Sequence, residues 1–201
     1  MKLKSAFLIF DGVAELDFVA PKDVFFTSKY LGHPGDELYT VSSGQEPVNC
    51  LGGLKIQPDY SFDNAPPPDI LVVPGTADPK PHMMNERLLD WVRETSSGCR
   101  WTAGVCTGSA ILLAAGVARG KRITTHWGAI EALREMGGAE VLEGVRYVAD
   151  GNLVTSAGVT AGLDQALWLL GQMRGPAHAR EVRHLLEYYP APPYEAEVGA
   201  C

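Results

Sequence analysis

The chain has 201 residues, a formal net charge of -7 and 46% hydrophobic residues. That length suits one α/β domain with a substantial core, and the acidic balance argues against a nucleic-acid partner, whose phosphates need a basic face. Four unevenly spaced cysteines make no disulfide framework, and Met1-Lys2-Leu3-Lys4 leads into an apolar run too short to be a membrane span, with no signal peptide before it; a soluble cytoplasmic protein is expected.

In chain order, Ala6 to Phe10 is a continuous apolar run closed by Asp11-Gly12, the pattern of an interior strand of a parallel sheet. Lys22 to Tyr30 has helical character with Pro21 in its first turn, which leaves Asp17 in the connection after the first strand. In an open α/β sheet that edge carries the ligand crevice. Leu38 to Ser42 predicts a second strand. Pro47 to Pro58, interrupted by Gly52-Gly53, predicts a hairpin or an irregular excursion, and Asn64-Ala65-Pro66-Pro67-Pro68 is a stiff linker. Ile70 to Val73 is another apolar strand, stopped by Pro74-Gly75-Thr76. Asn85 to Ser97 places Leu88, Leu89, Trp91 and Val92 at helical spacing. Trp101 to Val105 runs into Cys106, and an Ala/Leu helix begins at once. Ile123 to Trp127 follows a solvated Arg119-Gly120-Lys121-Arg122 connection, and Gly128 to Met136 returns to helix. Short strands at 141–142, 146–148 and 153–155 precede closing helices at 161–173 and 178–188, and a tail follows from about residue 190. Strands alternating with helices predict a single domain over 1–201, a three-layer α/β sandwich with a mostly parallel sheet.

The chemistry centres on Gly104-Val105-Cys106-Thr107-Gly108, which has the spacing of a nucleophile elbow with sulfur in place of a hydroxyl. The helix that follows should aim its N-terminal amides at the sulfur and favour thiolate over thiol. Cys50, Cys99 and Cys201 lack this setting and read as ordinary small hydrophobes. A thiolate needs a proton partner, which Asp17 or Glu15 could supply. Asp17 lies between Leu16 and Phe18, and an apolar setting beside sulfur would raise its pKa; as a helix cap or surface residue it would do neither. Backbone amides of Gly75, Thr76 or Thr107 could stabilise negative charge on a substrate, although Gly75 could equally be only a turn glycine. His126, C-terminal to the elbow helix, would allow a Cys–His pair or serve as a structural hydrogen-bonder. The remaining histidines have no partners at metal-ligand spacing, and no glycine pattern matches a nucleotide fingerprint, so neither a metal nor a nucleotide cofactor is expected.

Gly104-Val105-Cys106-Thr107-Gly108-Ser109, Thr124-Thr125-His126-Trp127, Val73-Pro74-Gly75 and Gly158-Val159-Thr160-Ala161-Gly162 together resemble the DJ-1/PfpI (ThiJ) superfamily. Leu16-Asp17-Phe18 with Pro21, the threonine after the cysteine and the Thr-Thr-His-Trp run place the resemblance nearest the isocyanide-hydrating branch. It implies a homodimeric, flavodoxin-like sandwich without cofactor or metal. Cys106 would be the nucleophile, Asp17 its hydrogen-bonded acid/base, and Thr107 a residue lining the site; a small-molecule isocyanide would become an N-substituted formamide. Thr76 departs from a frequent Pro-Gly-Gly, and Ala20 from a glycine before Pro21. A glyoxalase- or amidase-like enzyme using His126 is the competing activity. A thiol redox sensor without turnover is the non-enzymatic one, and a DNA-binding regulator is disfavoured by the charge and the short tail.

Overall fold

A computed structural model describes residues 2–190. Its centre is a seven-stranded sheet in the order β10-β11-β7-β6-β1-β2-β5. The middle is built by β1 (Lys4–Leu8), flanked by β2 (Glu37–Ser42) and β6 (Ile70–Val73), with β7 (Trp101–Val105) beyond β6. These strands pair in parallel, and all four residues of β6 are buried, as a strand covered on both faces requires. On one edge β5 (Tyr60–Ser61) pairs in parallel with β2. On the other, β11 (Leu153–Ser156) pairs in parallel with β7, and β10 (Tyr147–Asp150) closes antiparallel to it through the Gly151 turn. The 47–58 excursion contains a small antiparallel hairpin, β3 (Val48–Asn49) with β4 (Lys55–Ile56); β8 (Arg122–Ile123) and β9 (Glu140–Val141) form a separate parallel pair.

Helices cover both faces and make the sandwich three-layered. One layer is α1 (Glu15–Tyr30), α6 (Ala161–Arg174) and α7 (Pro176–Leu185), packed on one another; the other is α2 (Lys80–Met83), α3 (Glu86–Gly98) and α4 (Gly108–Ala114). A 3-10 turn at Trp127–Ala129 leads into α5 (Ile130–Glu135). Asn85 starts α3 by accepting the Leu88 N–H at 3.1 Å, a side-chain cap for an otherwise unpaired donor. No helix among the described residues is long and apolar enough to cross a membrane.

One boundary differs from the sequence expectation in a way that bears on function. The first helix starts at Glu15, not near Lys22, so Pro21 lies inside it and Asp17 occupies its first turn rather than the preceding connection. The early start is held by tertiary bonds: Ala14 N–H donates to Gly75 O at 2.9 Å and Leu51 N–H to Val13 O at 2.9 Å. The expected tail from about residue 190 falls outside the described residues apart from Pro190 itself.

Candidate active site

At the end of β7 the chain turns through Cys106, whose φ of 56° lies in the left-handed region that only glycine enters freely. The turn is braced from both sides. Cys106 N–H is shared between Ser156 O at 3.1 Å and Ala157 O at 3.2 Å, and Thr125 Oγ1 donates to Cys106 O at 2.9 Å. Of the two flanking glycines, Gly108 is required by rigid backbone and Gly104 is crowded by a side-chain tip. A Cβ on Gly108 would stand 2.1 Å from Val73 O, and one on Gly104 would stand 2.7 Å from Leu112 Cδ1. The Gly-x-Cys-x-Gly spacing thus lets the next helix pack directly on the ends of β6 and β7 while the cysteine takes the strained position.

Asp17 reaches the same point from α1. Its carboxyl is fully buried; Oδ2 accepts the Gly75 N–H at 3.0 Å, and Oδ1 has no donor at hydrogen-bonding geometry among the described residues. Burial pushes its pKa up from 3.8 to about 6, against the opposing pull of the Gly75 amide and of the adjoining Cys106 thiol. The thiol is pushed up to about 12, by burial first and the Asp17 charge second, although the amides of Thr107 and Val159 face the sulfur and favour its ionised form. Burial thus opposes ionisation of both groups, and the charge of either one further opposes ionisation of the other, so the pair favours holding a shared proton. The thiolate expected from the α4 N-terminus is favoured by the Thr107 and Val159 amides and opposed by desolvation and the neighbouring Asp17 carboxyl; α4 itself is seven residues long.

Gly75, Thr76 and Thr107 converge beside this pair; the amides of Gly75 and Thr76 are bound within the protein, and that of Thr107 faces the sulfur. The Gly75 amide is engaged by Asp17. The Thr76 amide donates to Thr107 Oγ1 at 2.8 Å, Thr107 Oγ1 donates back to Thr76 O at 2.7 Å, and Thr76 Oγ1 donates to Gly12 O at 2.7 Å. The hydroxyls of Thr76 and Thr107 thus stitch the β6 turn to the loop ahead of Asp17 and to the elbow, and the β6 turn offers neither amide to a substrate. A Cβ on Gly75 would come within 2.6 Å of Thr107 Oγ1 and 3.0 Å of Asp17 Oδ2, so its bareness is what admits both neighbours.

His126 stands apart from the sulfur's partners. Its Nδ1 accepts the Gly128 N–H at 3.2 Å, and its ring lies so close on Gly158 that a Cβ there would meet Cδ2 at 2.3 Å. Glu15, the other carboxylate considered as a proton partner, turns toward the β3–β4 hairpin. Although desolvation acts to raise its pKa, its own amide and those of Gly52 and Leu54 hold it below the usual range. Val159 is the residue that spacing did not single out. It is β-branched yet has a φ of 39°, and that strained turn presents its N–H to the Cys106 sulfur. Only its place in Gly158-Val159-Thr160 marked it.

Two clefts are candidates for a ligand site. The larger, about 1030 Å³, lies between α6, α7 and β10 with Trp168, Arg180 and Tyr188 in its wall. Size alone would favour it, but the strained cysteine and the buried carboxyl are elsewhere. The smaller, about 300 Å³, includes Thr125, His126 and Val159 and so adjoins the elbow. Among the described residues no group of three His, Cys, Asp or Glu side chains could hold a metal ion.

The chain was compared with known proteins. A family model described as the DJ-1/PfpI family matches residues 3–172. Isonitrile hydratase of Pseudomonas putida is 39% identical over 196 residues, covering 98% of this chain and 83% of that protein. The HTH-type transcriptional regulator CdhR of Pseudomonas aeruginosa is 28% identical, and the match takes in 88% of this chain but 52% of the regulator. Among solved structures, a THiJ/PfpI family protein from Pseudomonas syringae superposes with a TM-score of 0.89 at 31% identity, covering 98% of this chain and 79% of the other. With a match spanning most of its length, the chain belongs to the DJ-1/PfpI family.

Proposed function

We propose that the protein adds water to isocyanides, R–NC, to give N-substituted formamides, with Cys106 as nucleophile and Asp17 as acid and base. The observation that carries this reading is a buried carboxyl near pH 6 beside a strained thiol, with one of its oxygens open to a proton from substrate or sulfur. The Asp17 carboxylate takes the Cys106 proton as sulfur adds to the terminal isocyanide carbon. That carbon, carrying the displaced electron pair, then takes the proton back from Asp17, leaving the neutral thioimidate R–N=CH–S–Cys106. Water adds to the same carbon; Asp17 takes a proton from the water and delivers it to nitrogen. The C–S bond then breaks, the hydroxyl proton returns to sulfur through Asp17, and R–NH–CHO leaves. One water is consumed and no oxidant or reductant is needed.

The engaged amides favour this chemistry over an amidase- or glyoxalase-like reaction. Those reactions build negative charge on oxygen and gain most from free backbone donors, whereas the charge here falls on carbon and nitrogen, where a single mobile proton quenches it. The burial of the thiol also counts against a redox sensor, which depends on an accessible sulfur. The 39% identity to isonitrile hydratase supports the same reading. Incubation with cyclohexyl isocyanide, followed by NMR, tests it: N-cyclohexylformamide should accumulate with the wild-type protein and not with Cys106→Ala. Turnover of methylglyoxal alone, or formamide formation undiminished in Cys106→Ala, would overturn it. The homodimer implied by the resemblance is part of the proposal and is checked by sedimentation velocity.

A further inference from the structure

We infer that the 300 Å³ cleft beside the elbow receives the organic substituent of the isocyanide and selects for a neutral, ring-sized, apolar group, with Trp127 as its main specificity-determining residue. The inference rests on the hydration reading and adds the substrate class. Cys106 does not itself line the cleft, but two hydrogen-bonding contacts tie it to residues that do. Val159 presents its N–H to Cys106 Sγ and also lines the cleft; Thr125, another wall residue, holds the Cys106 carbonyl at 2.9 Å. The sulfur and the cleft are thus separated by no more than the Val159 and Thr125 residues.

The wall suits an apolar group. Trp127, Ile130, Val145 and Val159 supply hydrocarbon, and the His126 ring lies 5.4 Å from the Trp127 ring, extending the aromatic surface. The charged groups on the rim are already paired: Glu143 with Arg134 at 3.2 Å, and Arg146 with Asp164 at 2.8 Å. The Thr124 and Thr125 hydroxyls are spent on the Leu142 and Cys106 carbonyls. Thr160, the Trp127 indole N–H and the outer edge of the His126 ring are the remaining polar side-chain groups of the wall, so a charged substituent meets no unpaired countercharge there, whereas an apolar ring meets hydrocarbon. Among the exposed large apolar side chains, Trp127, 67% exposed, is the one that lines this cleft, where ring contact with a ligand would bury it.

The test compares Trp127→Ala with wild type on cyclohexyl and methyl isocyanide. The ratio of kcat/KM for the large substrate to that for the small one should fall about tenfold, mainly through KM, as expected when a ring-sized apolar contact is lost. Val145→Phe, which narrows the cleft from the opposite wall, should lower the same ratio. Equal ratios in wild type and both variants would overturn the inference. If wild type hydrates neither isocyanide, the hydration reading falls by itself. The cleft is then judged by alkylation of Cys106, followed by intact mass. N-benzyl iodoacetamide should lose severalfold of its rate relative to iodoacetamide in Trp127→Ala, and an unchanged relative rate would remove the cleft from the account.

Discussion

Burying the Asp17 carboxyl opposes folding even as it poises the proton. Its pKa of about 6 in the folded chain exceeds the ordinary 3.8, so the folded state binds the proton more tightly than the unfolded chain does. The stability associated with that proton is present below pH 3.8 and is lost as pH rises through about 6, a difference of about 3 kcal/mol at neutral pH. Asp17→Asn keeps an oxygen for the Gly75 amide and removes the charge. It should therefore be more stable than wild type at pH 7, by about 2–3 kcal/mol, with the advantage shrinking toward pH 4; urea unfolding at the two pH values checks this. The same variant should lose about a hundredfold in turnover. In the wild type, kcat/KM should rise with pH through about 6 as Asp17 becomes able to accept the thiol proton, then stay level well into the alkaline range because the thiol lies near 12. A profile instead governed by a group near 8 would show that a free thiolate, not the carboxylate–thiol pair, enters the reaction. Cys106 and Asp17 could be singled out as candidates from the chain, because an elbow pattern and an acid between apolar neighbours are local features. The protonation of the pair could not, since it depends on a Gly75 amide 58 positions away and on burial contributed by three elements.

Among the elements, those set by hydrophobic periodicity and short-range punctuation were legible. The strand Ile70–Val73 and the β7–elbow–α4 order follow from an apolar run, a stop and small residues. The first helix was legible only from its middle. Pro21 resembles a first-turn proline, yet it lies inside a helix whose opening turn is secured by Gly75 and Leu51, partners that spacing along the chain does not reveal. The same contrast separates Thr76 as a sequence departure from Thr76 as a tie to Gly12 O. A prediction belongs to this scale. Gly108→Ala forces a Cβ to within 2.1 Å of the Val73 carbonyl oxygen, which belongs to rigid backbone at the end of a central strand. Either α4 or β6 must move, and the cost should be about 3 kcal/mol or more, with loss of Cys106 reactivity. Gly137→Ala is the contrasting control: no atom lies within 4 Å of the added Cβ, so its cost arises from a φ of 66° alone and should be about 1 kcal/mol. Urea midpoints and Cys106 alkylation rates distinguish a packing defect from simple backbone strain.

Across the whole molecule the two ends of the parallel sheet do different work. The C-terminal ends of β1, β6 and β7 carry the loops that assemble Asp17, Gly75 and Cys106, the edge at which open α/β sheets place their ligands. The opposite end is closed by a buried ion pair. Arg174, the last residue of α6, contacts both carboxylate oxygens of Asp36 at 2.7 and 2.9 Å, and Asp36 also accepts the Leu3 N–H at 2.8 Å just ahead of β1. Both side chains are almost fully buried, so the pair is held by geometry against a desolvation cost, and breaking it leaves a charge with inadequate compensation. Arg174→Met should therefore cost about 3–5 kcal/mol, whereas Arg174→Met combined with Asp36→Leu should recover much of the loss, because no buried carboxylate remains. Turnover per folded molecule should change by less than about twofold in either variant, since the pair lies at the opposite end of the sheet from Asp17 and Cys106 and distant sites behave additively. Urea unfolding of the single and double variants, beside formamide formation at low urea, measures both quantities. A large fall in turnover with stability preserved would show that the two ends of the sheet are coupled, and that the carboxylate–thiol geometry depends on how α6 is anchored.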